Sequence, residues 1–391
     1  MKKYISLFLL AVLCRCFFFA VSVDEYYEKL SDEEKIFQLF LVNIEGNKTY
    51  RSVEFLDDGT PVVPGGVLLF SYNIGDSAEQ LMAFNDSIMD YCIDNSITCP
   101  YVAVDQEGGE VNRLGGITST LRSCKRISEN YSTDEAAVIY GLQARQMKLL
   151  GIHMNLAPVV EPEIDYNREF LSRRSFGSAS RSVVYSIKCV RAYEENGIAS
   201  VVKHFPGNSN TDPHVGLPVI SLEQSDFDRN FLIPFAFVLD AGQPTCILMS
   251  HAIVDGYGEK IPACLSSFWI EDVLRKRIGY EGLVISDDIF MGALADNGFP
   301  PEKAVVQAVE AGVDVIMLSE KKFLDAARTL LNEGKTRPDF KNKLQCAVKR
   351  VLTYKAKFGL LDESRIKEHG SIENRMKEFN GFYKVGQTYE K

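Results

Sequence analysis

The sequence predicts an α/β protein folded as a (β/α)8, TIM-type barrel: a single catalytic domain with a short C-terminal helical extension. Three observations carry this. Short β-rich apolar runs alternate with longer stretches of helical periodicity from residue 24 to residue 358, with no low-complexity linker between them. Eight such runs can be counted, which is the strand number of that barrel. No Gly-x-Gly-x-x-Gly turn follows an early strand, as the rival doubly wound sheet would favour.

In chain order the predicted strands are Phe40–Ile44, Gly66–Phe70, Tyr101–Asp105, His153–Ala157, Ser200–His204, Cys246–Ser250, Leu283–Asp287 and Asp314–Leu318. Helical patterns lie between most of them, over 134–150, 181–196, 270–278 and 303–311. Leu344, Val348, Val351 and Leu352 recur at helical spacing and place a final helix within 340–361, stopped at Gly359. The pattern leaves open whether the polar tail, 362–391, wraps the surface or hangs loose.

The chain has 391 residues, 46% of them hydrophobic, which is ample for a core of barrel size. Its formal charge of −10, with no Lys/Arg run, excludes a basic nucleic-acid footprint. Residues 1–22 read as a signal peptide. Lys2 and Lys3 make a positive start, Tyr4 to Leu13 is a short apolar run, and Ala20-Val21-Ser22 resembles a cleavage site. Export to a periplasmic or extracellular space is expected, with retention as an N-terminal membrane anchor the main rival. Lipidation at Cys14 or Cys16 is a weaker one, because Leu13 and Arg15 are bulky neighbours. The nine cysteines lack the spacing of a disulfide framework or a zinc site. Cys189 and Cys246 read as core residues, and Cys92 with Cys99 as a pair able to close a small loop.

Polar residues gather at the strand ends, where barrels of this kind carry their chemistry. They are Asp105-Gln-Glu-Gly-Gly, Lys203-His204, Ser250-His251 and Ser286-Asp287-Asp288. One polar residue at a strand end is ordinarily a satisfied cap; four such groups on one rim point to function. Asp287 is placed to attack an anomeric carbon or to stabilise an oxocarbenium ion. The competing structural role, N-cap for 289–295, suits Asp288 better because neighbouring side chains face opposite ways. In the loop after the fifth strand, Asp212-Pro213-His214 sets a carboxylate two residues from an imidazole, so the acid can orient the ring and tune its basicity. No further ligands at convincing spacing accompany it, so a metal site is not expected.

The stretch from Val273 through Leu283-Val-Ile-Ser to Asp287-Asp288 resembles the active-site signature of glycoside hydrolase family 3. Val104-Asp-Gln-Glu-Gly-Gly, Asn155-Leu-Ala-Pro-Val, Arg174-Ser-Phe-Gly, Lys203-His-Phe-Pro-Gly, Met249-Ser-His-Ala and Ala308-Val-Glu-Ala-Gly-Val-Asp are similar to that family in the same order, from about residue 30 to 361. Within it the likeness is to the NagZ-type β-N-acetylhexosaminidases, which carry an Asp-x-His pair on a loop of the barrel. The family's β-glucosidases instead take the acid/base from a second domain. The resemblance implies Asp287 as nucleophile and His214 as proton donor and acceptor, with Asp212 behind it. It also implies that Asp105, Arg113, Arg174, Lys203, His204 and Met291 contact the sugar, although a buried methionine accounts for Met291 equally well. The loop departs from the NagZ pattern: Asn208 replaces a histidine, Pro213 replaces a serine, and the segment between Gly207 and Asp212 is shorter, so a stiffer mount for His214 is expected.

The activity so implied is retaining hydrolysis of terminal, non-reducing β-linked N-acetylglucosamine from peptidoglycan fragments or chitin-type oligosaccharides. A monomer needing no cofactor is expected. The alternatives are phosphorolysis of the same bond, a substrate-assisted route through Asp287 and Asp288, and an exported sugar-binding protein on a catalytically impaired barrel.

Overall fold

A computed structural model describes residues 22–368 and 370–390. Apart from Ser22, the expected export segment lies outside the described residues. The eight expected strands all form: β1 (Phe40–Asn43), β2 (Gly66–Leu69), β3 (Tyr101–Val104), β4 (Met154–Asn155), β5 (Ala199–Phe205), β6 (Cys246–Met249), β7 (Leu283–Ser286) and β8 (Ile316–Leu318). They pair in parallel in the order β7-β6-β5-β4-β3-β2-β1-β8. Ile285 bridges Val315, with the Ser286 amide donating to the Val315 carbonyl at 2.9 Å, and this joins the two ends into a barrel. Every residue of these strands is buried, because interior side chains fill the barrel and the helices cover its outside.

The expected helices appear as Thr133–Leu149, Ala179–Glu195, Phe268–Ile278 and Pro301–Ala311, the third wound in the wider π form. Ser132 and Glu135 close a reciprocal capping box at the start of the first. The predicted final helix is Pro338–Lys357. The tail, which composition alone did not place, folds into two more helices, Glu363–Lys367 and Ile372–Gln387. The second buries only a narrow stripe, including Arg375 and Phe379. Arg375 pairs with Asp86 and reaches the Leu149 carbonyl, and the Glu390 carboxylate accepts the Thr120 amide at 2.8 Å. Among the described residues no helix is long and apolar enough to cross a membrane.

Cys189 and Cys246 are core residues, as expected. Cys92 and Cys99 are both free thiols, so the loop-closing disulfide expected of them does not form in this structure.

Candidate active site

The site is built first by the loop after β3. Asn155 on β4 clamps this loop through a pair of amide bonds. Its Oδ1 accepts the Gln106 amide and its Nδ2 donates to the Gln106 carbonyl, both at 3.0 Å. Gln106 in turn accepts the Leu114 amide and donates to Asn112. Gly108 turns the chain at φ +91°, where a Cβ would lie 2.4 Å from the Arg122 carbonyl oxygen, so only glycine fits. The result is a rigid mount for Glu107, whose side chain is buried.

Around Glu107 the structure assembles a closed charge network. Arg174 donates to its carboxylate through Nε and Nη2, each at 2.8 Å, a bidentate pair. Lys203, at the end of β5, lies 2.6 Å from Glu107 and 2.7 Å from Asp105. Burial pushes the Glu107 carboxyl up, but the Lys203 and Arg174 charges outweigh it and hold the group well below the usual carboxylate range. Burial likewise pulls Lys203 down, and Asp105 and Glu107 more than offset it, so its ammonium is held above the ordinary lysine value. His204 is fixed by Glu161, whose Oε1 meets Nδ1 at 2.7 Å while Oε2 accepts the Asn208 amide at 2.7 Å. The Phe170 ring packs beside both His204 and Arg174, its centroid 6.1 Å from the imidazole and 5.4 Å from the guanidinium carbon, while Arg174 Nη2 itself lies 3.4 Å from His204 Nε2.

Asp287 follows β7 and is largely buried. One carboxylate oxygen accepts the Asp288 amide at 2.9 Å, and among the described residues no cation pairs with it. Asp288 does not cap a helix over 289–295, because the helix there is only Gly292–Ala295. Its Oδ1 instead accepts the Phe290 and Ser319 amides at 3.0 and 3.1 Å, tying the turn after β7 to the end of β8. His251, read from the sequence as part of the polar rim, is fully buried behind it. That imidazole contacts the Asp288 carbonyl at 3.0 Å and the Cys264 thiol at 3.1 Å, a structural role.

Asp212 and His214 stand opposite in character. His214 Nδ1 lies 2.8 Å from Asp212 Oδ1, and the same oxygen accepts the His214 amide at 2.9 Å. The imidazole is 72% exposed and the carboxylate 52%. The His214 amide bond is the largest influence holding the Asp212 carboxyl below its usual value. The loop leaves β5 through Gly207, where a Cβ would fall 2.5 Å from the Phe231 ring.

The nine residues expected from the sequence to be catalytic or to contact the sugar line one cavity of about 570 Å³ at the mouth of the barrel: Asp105, Arg113, Arg174, Lys203, His204, Asp212, His214, Asp287 and Met291. Met291 is half-buried at the cavity edge, not a core residue. Sequence reasoning missed Glu107, Glu161, Phe170 and Asn210. Glu107 had a signal, a second carboxylate two residues beyond Asp105. Glu161 had none, because its role is set entirely by a partner on another strand. Among the described residues no group of three or more His, Cys, Asp or Glu side chains is arranged to hold a metal ion.

A model of the glycosyl hydrolase family 3 N terminal domain matches residues 31–354. The chain belongs to glycosyl hydrolase family 3. It is 33% identical over 265 residues to a beta-hexosaminidase of Alkalilimnicola ehrlichii, a match covering 65% of this chain and 73% of that one. Against beta-hexosaminidase A of Pseudoalteromonas piscicida it is 29% identical over 278 residues, 65% of this chain but only 45% of the relative. The match thus spans less than half the length of that family member. The structure of a glycoside hydrolase family 3 β-N-acetylglucosaminidase from Paenibacillus sp. str. FPU-7 superposes with a TM-score of 0.77 at 27% identity. That match covers 85% of this chain and 63% of that one.

Proposed function

We propose that this family 3 barrel is a retaining β-N-acetylhexosaminidase that releases terminal, non-reducing N-acetylglucosamine from peptidoglycan fragments or chitin-type oligosaccharides. One observation carries the reading: an unpaired carboxylate, Asp287, shares a cavity with an imidazole–carboxylate pair, His214–Asp212. Asp287 attacks the anomeric carbon and forms a glycosyl-enzyme. His214 gives its Nε2 proton to the leaving oxygen. It then takes a proton from the water that releases the sugar with its original configuration. Asp212, held ionised, accepts from Nδ1 and so leaves Nε2 as the atom that exchanges protons. Lys203, Arg174 and His204, locked by Glu107 and Glu161, present fixed donors to the sugar hydroxyls and the acetamido group, with Asp105, Arg113 and Met291 completing the sugar's surroundings. The names of the relatives support the sugar, and export through residues 1–22 fits a substrate met outside the cell membrane.

The test is turnover of a panel of aryl N-acetyl-β-glucosaminide, N-acetyl-β-galactosaminide and β-glucoside, with the product anomer followed by NMR. The expected result is preference for the N-acetylglucosaminide, a β product, and no turnover by Asp287→Ala. Near-normal activity in that variant, or an α product, overturns the mechanism.

A further inference from the structure

We propose that Asn210 is a positioning residue for proton transfer, a latch that fixes the root of the His214 loop to the neighbouring wall of the site. This rests on the reading of His214 given above. The short helix Arg168–Leu171 leaves its first amides without an internal partner. Its own N-cap residue, Asn167, makes no cap bond, because its Oδ1 is engaged by the Ile164 amide at 3.0 Å. Asn210 supplies the missing cap from another loop. Its Oδ1 accepts the Glu169 amide at 2.9 Å and the Phe170 amide at 3.5 Å, and its Nδ2 donates to the Asp165 carbonyl at 3.0 Å.

These bonds divide the loop. Up to residue 209 the chain is buried against the barrel, and Asn208 is tied to Glu161. The far end is held from Pro218 on: its carbonyl accepts the Ile253 amide at 2.9 Å, Val219 and Ile220 pair with Ile253 and Val254, and the Ser221 amide donates to the Tyr166 hydroxyl at 2.8 Å. Between the two anchors, 212–216 forms a compact knuckle, in which the Val215 and Gly216 amides both return to the Asp212 carbonyl at 2.9 and 3.0 Å. Val215 is 84% exposed. The knuckle that carries His214, with Pro213 its one buried residue, is therefore held on its near side by Asn210 and on its far side from Pro218. The helix that Asn210 caps also carries Phe170, which flanks His204 and Arg174, so the latch sets the proton donor relative to the sugar-contacting wall. The shortened loop puts Asn210 two residues before Asp212, where a latch has most control over the imidazole. Asn210 is itself exposed, so its bonds add little to global stability and their effect falls on position.

The experiment compares kcat/KM of wild type, Asn210→Ala and Asn210→Asp on two N-acetyl-β-glucosaminides, one with a dinitrophenyl and one with a phenyl leaving group. Dinitrophenolate departs without a proton; phenolate needs one. Asn210→Ala is expected to lose about 10–100-fold on the phenyl glycoside, a part of what general acid catalysis supplies, and less than about 3-fold on the dinitrophenyl one. Thermal midpoints stay level, and KM is unchanged. Asn210→Asp keeps the acceptor for the helix amides and recovers most of the phenyl rate. Equal loss on both substrates, or no loss on either, overturns the latch. A wild-type protein that hydrolyses neither glycoside overturns the functional reading itself, and the role built on it.

Discussion

Lys203 and His214 face the same cavity, yet their surroundings are opposite. Lys203 is buried between Asp105 and Glu107, and Glu107 is itself gripped by Arg174. His214 stands mostly in solvent with a single carboxylate partner on its own loop. A buried ion network has one arrangement, because breaking any pair strands a charge away from water. An exposed pair is free to take several, because solvent screens what is lost. In the proposed mechanism the site thus separates two tasks: the sugar is met by a buried, charge-locked wall, and the proton is moved by a group on an exposed loop held at its root. Asp287 belongs with the rigid half, anchored at the end of β7 between the Met249 carbonyl and the Asp288 amide.

The largest effect expected from breaking this contrast is at Glu107. Glu107→Ala leaves Lys203 with Asp105 alone and Arg174 without its bidentate partner. A loss of about 3–5 kcal/mol in unfolding free energy is expected, read by denaturant titration, together with loss of turnover. His214→Ala is expected to do the reverse. Its stability should stay within about 0.5 kcal/mol of wild type, as for other exposed positions. Hydrolysis of a glycoside with a poor leaving group should fall about 10²–10⁴-fold. Similar stability losses in the two variants would erase the distinction between the halves.

A buried lysine at the other end of the barrel offers a further contrast to Lys203. Lys355 is as buried as Lys203, but its ammonium donates to neutral groups, Gln38 Oε1 at 2.6 Å and the Cys99 carbonyl at 2.8 Å. Burial dominates there and pushes it down to about 7. With the folded value below the unfolded one, the unfolded chain binds the extra proton between about pH 7 and 10.5, so stability rises with pH across that window. Lys355→Met should flatten that rise, by up to about 1.4 kcal/mol per pH unit, in denaturation measured from pH 7 to 10. The smallest stability effect is expected at Asp212. Its lowered carboxyl favours the folded state above the ordinary carboxylate range, and the gain is lost as pH falls through the folded value. Both partners are exposed, so Asp212→Ala should leave the thermal midpoint level while lowering turnover of the phenyl glycoside.

The barrel was legible because each strand is a dense apolar run: Cys246-Ile-Leu-Met and Leu283-Val-Ile-Ser read as strands whatever surrounds them. The placement of site residues was legible where it follows from a strand end, as with Asp287 and Lys203, which both line the cavity. Roles set by partners distant in sequence were not. Nothing local distinguishes Glu161 from a surface glutamate, because its function is to hold His204, 43 residues away. His251 misled for the same reason: a histidine after β6 looks like a rim residue until Cys264 and the Asp288 carbonyl are seen to enclose it. The tail escaped because its overall polarity masks a real stripe: Ile372, Met376, Phe379 and Tyr383 recur at helical spacing and pack on the barrel's helices.

In the proposed mechanism Asp287, in the rigid half, forms the covalent bond, while His214, on its exposed loop, only moves protons. The most direct test is mass spectrometry of the protein digested after reaction with a fluorinated N-acetylglucosamine derivative that stalls at the glycosyl-enzyme. A sugar adduct is expected on the peptide containing Asp287, formed by wild type and His214→Ala alike. An adduct on another residue, or steady turnover of the N-acetylglucosaminide by Asp287→Ala, would contradict it.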